Sequence, residues 1–179
     1  ELREELLAGK YGRVLSAVGI YSKGAVHTGS HMLDLAQILF GRIESIRPLV
    51  RVADWEGEPT ASAAVTLERC PQLYLAAGDE RAYSIFELDI LTEKKRFRFL
   101  DEGLTLAMHE VINDPIYEGY RILGGQVVEK TGLNRAMENL ASHAVNVLEG
   151  REEPCATLSD ALATERSCFS LLNTVSSPL

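Results

Sequence analysis

The chain has 179 residues, 46% hydrophobic and 25% charged, which is enough for one domain with a core of its own and is ordinary for a soluble globular protein. A formal net charge of −8 argues against nucleic acid or an anionic membrane as the main partner, while leaving room for a local basic pocket. No apolar run approaches the ~18–20 residues that span a bilayer, no signal peptide is visible, and three widely spaced cysteines without a Cys-x-x-Cys argue for reduced thiols in a cytoplasmic protein, not for a disulfide framework or a zinc site.

Residues 1–8 read as a short helix that Gly9 ends, with acidic residues near its positive end. Val14 opens a strand that runs to Tyr21. A glycine turn follows, then a helix that stops at Gly41. Strands are predicted over 43–52, 61–67 and 73–77, with 54–59 as a polar loop and Gly78-Asp79 as a turn. Residues 84–91 alternate strictly: Ile85, Glu87, Asp89 and Leu91 face one way and Phe86, Leu88 and Ile90 the other. A hairpin turn at 92–95 leads into 94–100, where Phe97 and Phe99 oppose Arg96 and Arg98. Residues 104–112 make a further strand, and Asn113-Asp114-Pro115 breaks the run. Residues 120–129 fit a strand or a helix. A 3.6-residue stripe predicts a helix over 133–148, capped by Gly150. Ser159-Asp160 starts the final helix, and 176–179 form a frayed tail. The expected fold class is α+β: a mostly antiparallel open sheet with helices packed on one face, forming a single domain over 1–179.

The chemistry gathers in the turn and helix after the first strand. His27, His31 and Asp34 stand at i, i+4 and i+7, within about 60° of one another on a helix. Met32, Leu35, Ala36 and Leu39 form the apolar stripe beside them. Thr28 and Ser30 are the candidate N-caps.

The pattern Gly24-x-x-His27-x-Gly29-x-His31-x-x-Asp34, followed by an apolar run and Phe40-Gly41, resembles the glucose–fructose oxidoreductase / inositol dehydrogenase family (Gfo/Idh/MocA). Gly9-Lys10-Tyr11-Gly12-Arg13-Val14 is similar to the segment that leads from that family's interdomain helix into its first strand. The resemblance implies the substrate-binding and oligomerisation domain of an NAD(P)-dependent oxidoreductase acting on a sugar, cyclitol or sugar nucleotide. It implies that His31 is the catalytic acid/base and Asp34 a supporting residue. His27 stands where the family carries Asp or Asn. The family's dinucleotide-binding Rossmann domain and its Glu-Lys-Pro lysine have no counterpart in this sequence, and no Gly-x-Gly-x-x-Gly joins a strand to a helix. NAD or NADP is therefore expected only in an intact protein and not bound tightly by this segment. A first residue of Glu1 instead of Met fits a fragment. A homodimer or higher homo-oligomer through the uncovered sheet face is expected from the same resemblance.

Each residue also has a plainer reading. A histidine on a helix rim is commonly structural, yet an imidazole exchanges protons near neutral pH and suits a hydroxyl–carbonyl interconversion. Asp34 either orients His31 or binds elsewhere. His27 contacts a sugar hydroxyl, holds His31, or is a turn residue. Lys23 and Tyr21, at the exit of the strand, are candidate substrate contacts, against a solvated lysine and a strand residue. His27, His31 and Asp34 also have the spacing of a metal set, without the Glu of His-Glu-x-x-His, and metal is not the expected role. A non-catalytic dimeric scaffold derived from the same family is the alternative function.

Overall fold

A computed structural model describes residues 2–172 of the chain, without the side chain of Trp55. The expected frayed tail lies outside the described residues. Helix α1 is Leu2–Leu7, strand β1 Val14–Tyr21, and a turn of π-helix, Gly24–Thr28, runs directly into α2, Gly29–Phe40. Seven strands follow: β2 Ile43–Trp55, β3 Glu58–Leu67, β4 Cys70–Ala77, β5 Phe86–Thr92, β6 Lys95–Leu100, β7 Thr105–Asn113 and β8 Arg121–Lys130. A short 3-10 turn, Leu133–Arg135, precedes α3, Ala136–Leu148, and α4 is Leu158–Leu172.

All eight strands form one open sheet in the order β2-β3-β4-β1-β5-β6-β7-β8. Neighbours joined by short turns are antiparallel, as expected. The exception is β1, which is parallel to β4. Helix α2 returns the chain so that β2 starts level with β1, and the β2–β3–β4 meander then fills back toward β1. The sheet is thus mixed but mostly antiparallel, and the architecture is α+β.

Helices α1, α2 and α4 cover one face. Met32, Leu33, Ala36 and Phe40 of α2 are fully buried in one cluster with Ala17 and Tyr21 of β1, Leu73 and Leu75 of β4, Leu88 and Ile90 of β5, and Val65 of β3. Gly19 allows this close contact: a Cβ there would stand 2.8 Å from the Met32 sulfur. Alternation on β5 and β6 falls as the sequence predicts. Leu88, Ile90 and Phe97 face the helices, and Asp89, Arg96 and Arg98 form an ion-pair ladder on the other face.

Three elements differ from expectation, and a fourth that the sequence left open is decided. The polar loop at 54–59 is a tight hairpin, because Glu56 and Gly57 both take the positive φ of a two-residue turn (47° and 85°) and let β2 and β3 pair to their ends. Residues 121–130 are a strand, and Gly124-Gly125 make the bulge opposite Glu110 that lets it stay paired. His109 Nδ1 holds the bulged Gly124 carbonyl at 3.1 Å. The final helix is capped by Thr157, two residues earlier than expected. Thr157 and Asp160 exchange hydrogen bonds in a capping box, and they hold the Asp160 carboxyl below the usual range. Helix α3 does not cover the sheet. It leaves the edge strand β8 and buries none of its residues, so its apolar stripe, with Met137 76% exposed, faces solvent.

That contrast is measurable by urea unfolding. Phe97→Ala, removing a side chain 1% exposed and edge-on to Tyr11, is expected to cost about 3–5 kcal/mol. Met137→Ala is expected to change stability by no more than about 0.5 kcal/mol. Comparable losses would show α3 packed in solution.

Candidate functional site

The site is built where β1 ends. Ser22 is buried. Its hydroxyl donates to Glu80 Oε2 at 2.6 Å and accepts from the Ile85 N–H, so it fastens the strand exit to β5 and the preceding loop. Lys23 takes a left-handed backbone (φ 74°) and points its Nζ to Glu80, 3.7 Å away. Gly24 (φ 86°) donates its N–H to Thr60 Oγ1 at 3.0 Å. The next amides, Val26 and His27, both donate to Glu58 Oε1, the latter at 2.8 Å. A Cβ on Gly24 would stand 2.5 Å from the Glu58 carboxyl carbon, so glycine is the only residue that leaves room for this carboxylate.

Glu58 is therefore the N-terminal cap of the motif helix. It supplies an acceptor and a negative charge at the end where four amides lack partners. Thr28 makes no side-chain cap bond, and the Ser30 hydroxyl donates back to the His27 carbonyl at 2.7 Å. The expected Thr28 or Ser30 cap is replaced by a residue from the β2–β3 hairpin. Glu58, Thr60 and Ser22 were not among the sequence candidates, since nothing local to the motif points to them.

The candidate residues do not all gather. Helix α2 presents His31 and Asp34 to a cavity of about 490 Å³ against α4, with Ser30 on the same wall and Leu162, Glu165 and Cys168 opposite. The His31 ring is exposed there and forms no hydrogen bond among the described residues. Asp34 does not bond to His31. Its Oδ1 accepts from Thr164 Oγ1 of α4 at 3.3 Å. His27 is exposed beside this cavity, and neither it nor Lys23 lines it. Among the described residues no group of three or more His, Cys, Asp or Glu side chains is placed to hold a metal ion. A larger cavity, of about 580 Å³, lies at the other end of β1 between Arg13–Glu93 and Glu68, away from the histidines.

Tyr21 is a correction. Its side chain is fully buried, and its hydroxyl donates to the Ala61 carbonyl at 2.6 Å and accepts the Ala61 N–H at 3.2 Å. Burial pushes its phenol above the ordinary range. With both bonding directions used inside the core, Tyr21 braces β1 against β3 and offers no atom to a substrate.

Solved structures share this fold over nearly the whole chain. Levoglucosan dehydrogenase in complex with NADH aligns with a TM-score of 0.72 at 11% identity, over 96% of this chain and 59% of its own. UDP-N-acetylglucosamine 3-dehydrogenase from Acidithiobacillus ferrooxidans aligns at 0.63 and 15% identity, over 96% and 56%. A super-repressor mutant of Gal80p from Saccharomyces cerevisiae aligns at 0.66 and 14% identity, over 96% and 59%. No protein-family model and no curated protein sequence matches the chain. What is shared at these identities is the fold. The chain spans less than two thirds of the length of each of these proteins.

Two outcomes test the site's construction. Glu58→Ala is expected to lose about 1–2 kcal/mol in chemical denaturation and to speed amide exchange at Val26 and His27, with Glu58→Gln losing less. Unchanged exchange at those amides would remove Glu58 as the cap. Separately, burial pushes the Cys70 and Cys168 thiols up to about 11, so both stay protonated and shielded at neutral pH. Iodoacetamide should then alkylate the exposed Cys155 alone in the native chain, and all three cysteines after unfolding, as read by mass spectrometry.

Proposed function

We propose that this chain is the substrate-binding and oligomerisation domain of an NAD(P)-dependent oxidoreductase acting on a sugar, cyclitol or sugar-nucleotide hydroxyl or carbonyl. The observation that carries the reading is His31, an exposed imidazole with no hydrogen-bond partner among the described residues, held on a capped helix in a cavity of about 490 Å³. As a hydroxyl carbon is oxidised, its O–H proton passes to that ring, and in the reverse direction the ring returns it. His27 and Lys23, on the turn beside the cavity, are the proposed contacts to the outer hydroxyls of the substrate. Asp34 supports the site through α4. Two of the proteins that share the fold are dehydrogenases named for a sugar and a sugar nucleotide, which supports this substrate class.

The turn that leads into the motif helix does not fit the pyrophosphate of a nicotinamide dinucleotide. The turn from β1 into α2 has a carboxylate, Glu58, on the amides that a pyrophosphate would need. The proposal therefore places NAD or NADP on a further domain. It places a second copy of the chain on the sheet face opposite the helices, where Leu91 and Tyr74 are exposed around the Asp89–Arg96 pair. No helix among the described residues is long and apolar enough to cross a membrane. The free cysteines suit the cytoplasm.

A super-repressor mutant of Gal80p shares the fold, and His27 departs from the family's residue. These favour a second reading, a non-catalytic dimeric scaffold. One variant separates the two. In the natural protein that contains this chain, nicotinamide-linked turnover screened over sugars should fall by about 10²–10⁴ in His31→Ala, with the mass by light scattering still that of a dimer or larger. Turnover that survives His31→Ala sinks the acid/base role. A dimer with no turnover on any sugar, in wild type and variant alike, supports the scaffold. A monomeric wild type removes the proposed sheet-face contact.

A further inference from the structure

Asp34 stands three residues after His31 on α2, close enough for its carboxylate to accept a hydrogen bond from the ring. That bond is not made. Asp34 Oδ1 is held by Thr164 Oγ1, across a sequence distance of 130 residues. The same hydroxyl accepts from Gln37 Nε2 at 2.9 Å. A threonine hydroxyl has one proton to give. With the Gln37 amide donating to it, that proton is aimed at Asp34. Thr164 is 8% exposed, so little water reaches it to compete. The Gln37 bond has ordinary length and the Asp34 bond, at 3.3 Å, is a looser restraint. Gln37 thus orients the hydroxyl, and the hydroxyl restrains the carboxylate.

We propose that Thr164 is the positioning residue of this site: its hydroxyl, oriented by Gln37, keeps Asp34 turned to α4 and off His31, which leaves the imidazole open to a ligand's hydroxyl. This rests on the reading of His31 as the proton-transfer group. An imidazole that donated to Asp34 would be fixed in one tautomer and one orientation. Left unpaired, it can turn either nitrogen to a ligand in the cavity. Helix α4 then contributes more than a wall to the site, because it holds the carboxylate that stands one helical turn from the ring. The hold is weak enough that loss of a single hydroxyl releases it.

The test reads the His31 ring by long-range ¹H–¹⁵N spectra of the labelled chain at an alkaline pH, with His31→Gln to assign the signal. Thr164→Val should shift the two ring nitrogens apart as one tautomer is selected, with helix content by circular dichroism retained. Thr164→Ser should keep the wild-type spectrum, and Thr164→Val with Asp34→Asn should return to it. A Thr164→Val spectrum that superimposes on wild type overturns the proposal, as does a shift that Asp34→Asn leaves in place. Should Thr164→Val fail to fold, Thr164→Ala removes the same hydroxyl and should give the same shift, its absence overturning the proposal, while Asp34→Asn checks the wild-type arrangement. Its side-chain carbonyl still accepts from Thr164, so the ring signals should not move, and a shift would mean that Asp34 already engages the ring. Turnover is not the readout, so failure of the oxidoreductase reading would leave this result standing.

Discussion

The site depends on how the chain leaves β1 and enters α2. A strand exit turning straight into a helix exposes successive amides with nowhere to donate. Glu58 answers for two of them, Thr60 for a third, and Gly24 gives up its side chain so that the carboxylate can approach. The wide π-turn holding His27 is set by those contacts, and so is the direction in which α2 then runs. His31 and Asp34 reach the cavity against α4 because the helix carrying them is pinned at its start by the β2–β3 hairpin and along its side by the sheet.

The sheet divides the molecule into unequal parts. On the helix side β1 and its neighbours are dry, and the apolar faces of α2 and α4 close over them. On the other side runs a row of charged and aromatic side chains with Asp89 paired to Arg96 and Arg98. At the β8 edge neither face is covered, and α3 continues outward from there with its stripe in solvent. An amphipathic helix gains its stability from the surface it covers. The exposed stripe of α3 therefore marks it as the least anchored of the longer helices in this chain.

The candidate site divides between readings that rest on neighbours along the chain and readings that rest on neighbours in space. The helical spacing of His31 and Asp34 places both on one flank, where both are found. The pattern does not say which partner Asp34 takes. A carboxylate one turn from a histidine looks like its support, and the threonine that holds it instead comes from the other end of the sequence. Tyr21 failed as a contact for a related reason. Its position at the strand exit is correct, but the alternation of β1 turns its ring to the helix side, where the Ala61 backbone uses its hydroxyl.

The sequence by itself determined the elements, the class of fold and the residues able to do chemistry, because period, turn residues and motif spacing act between near neighbours. It left 120–129 open, since an apolar run interrupted by two glycines has no single period, and only pairing with β7 makes it a strand. It expected 133–148 to cover the sheet, since a stripe shows which side of a helix is apolar but not whether anything lies against it. Tertiary structure alone decided the cap on the motif helix, the partner of Asp34 and the burial of Tyr21. Their partners lie 31, 130 and 40 residues away. At such distances a hydrogen bond is chosen by which surfaces the folded core brings together, and local spacing carries no trace of it.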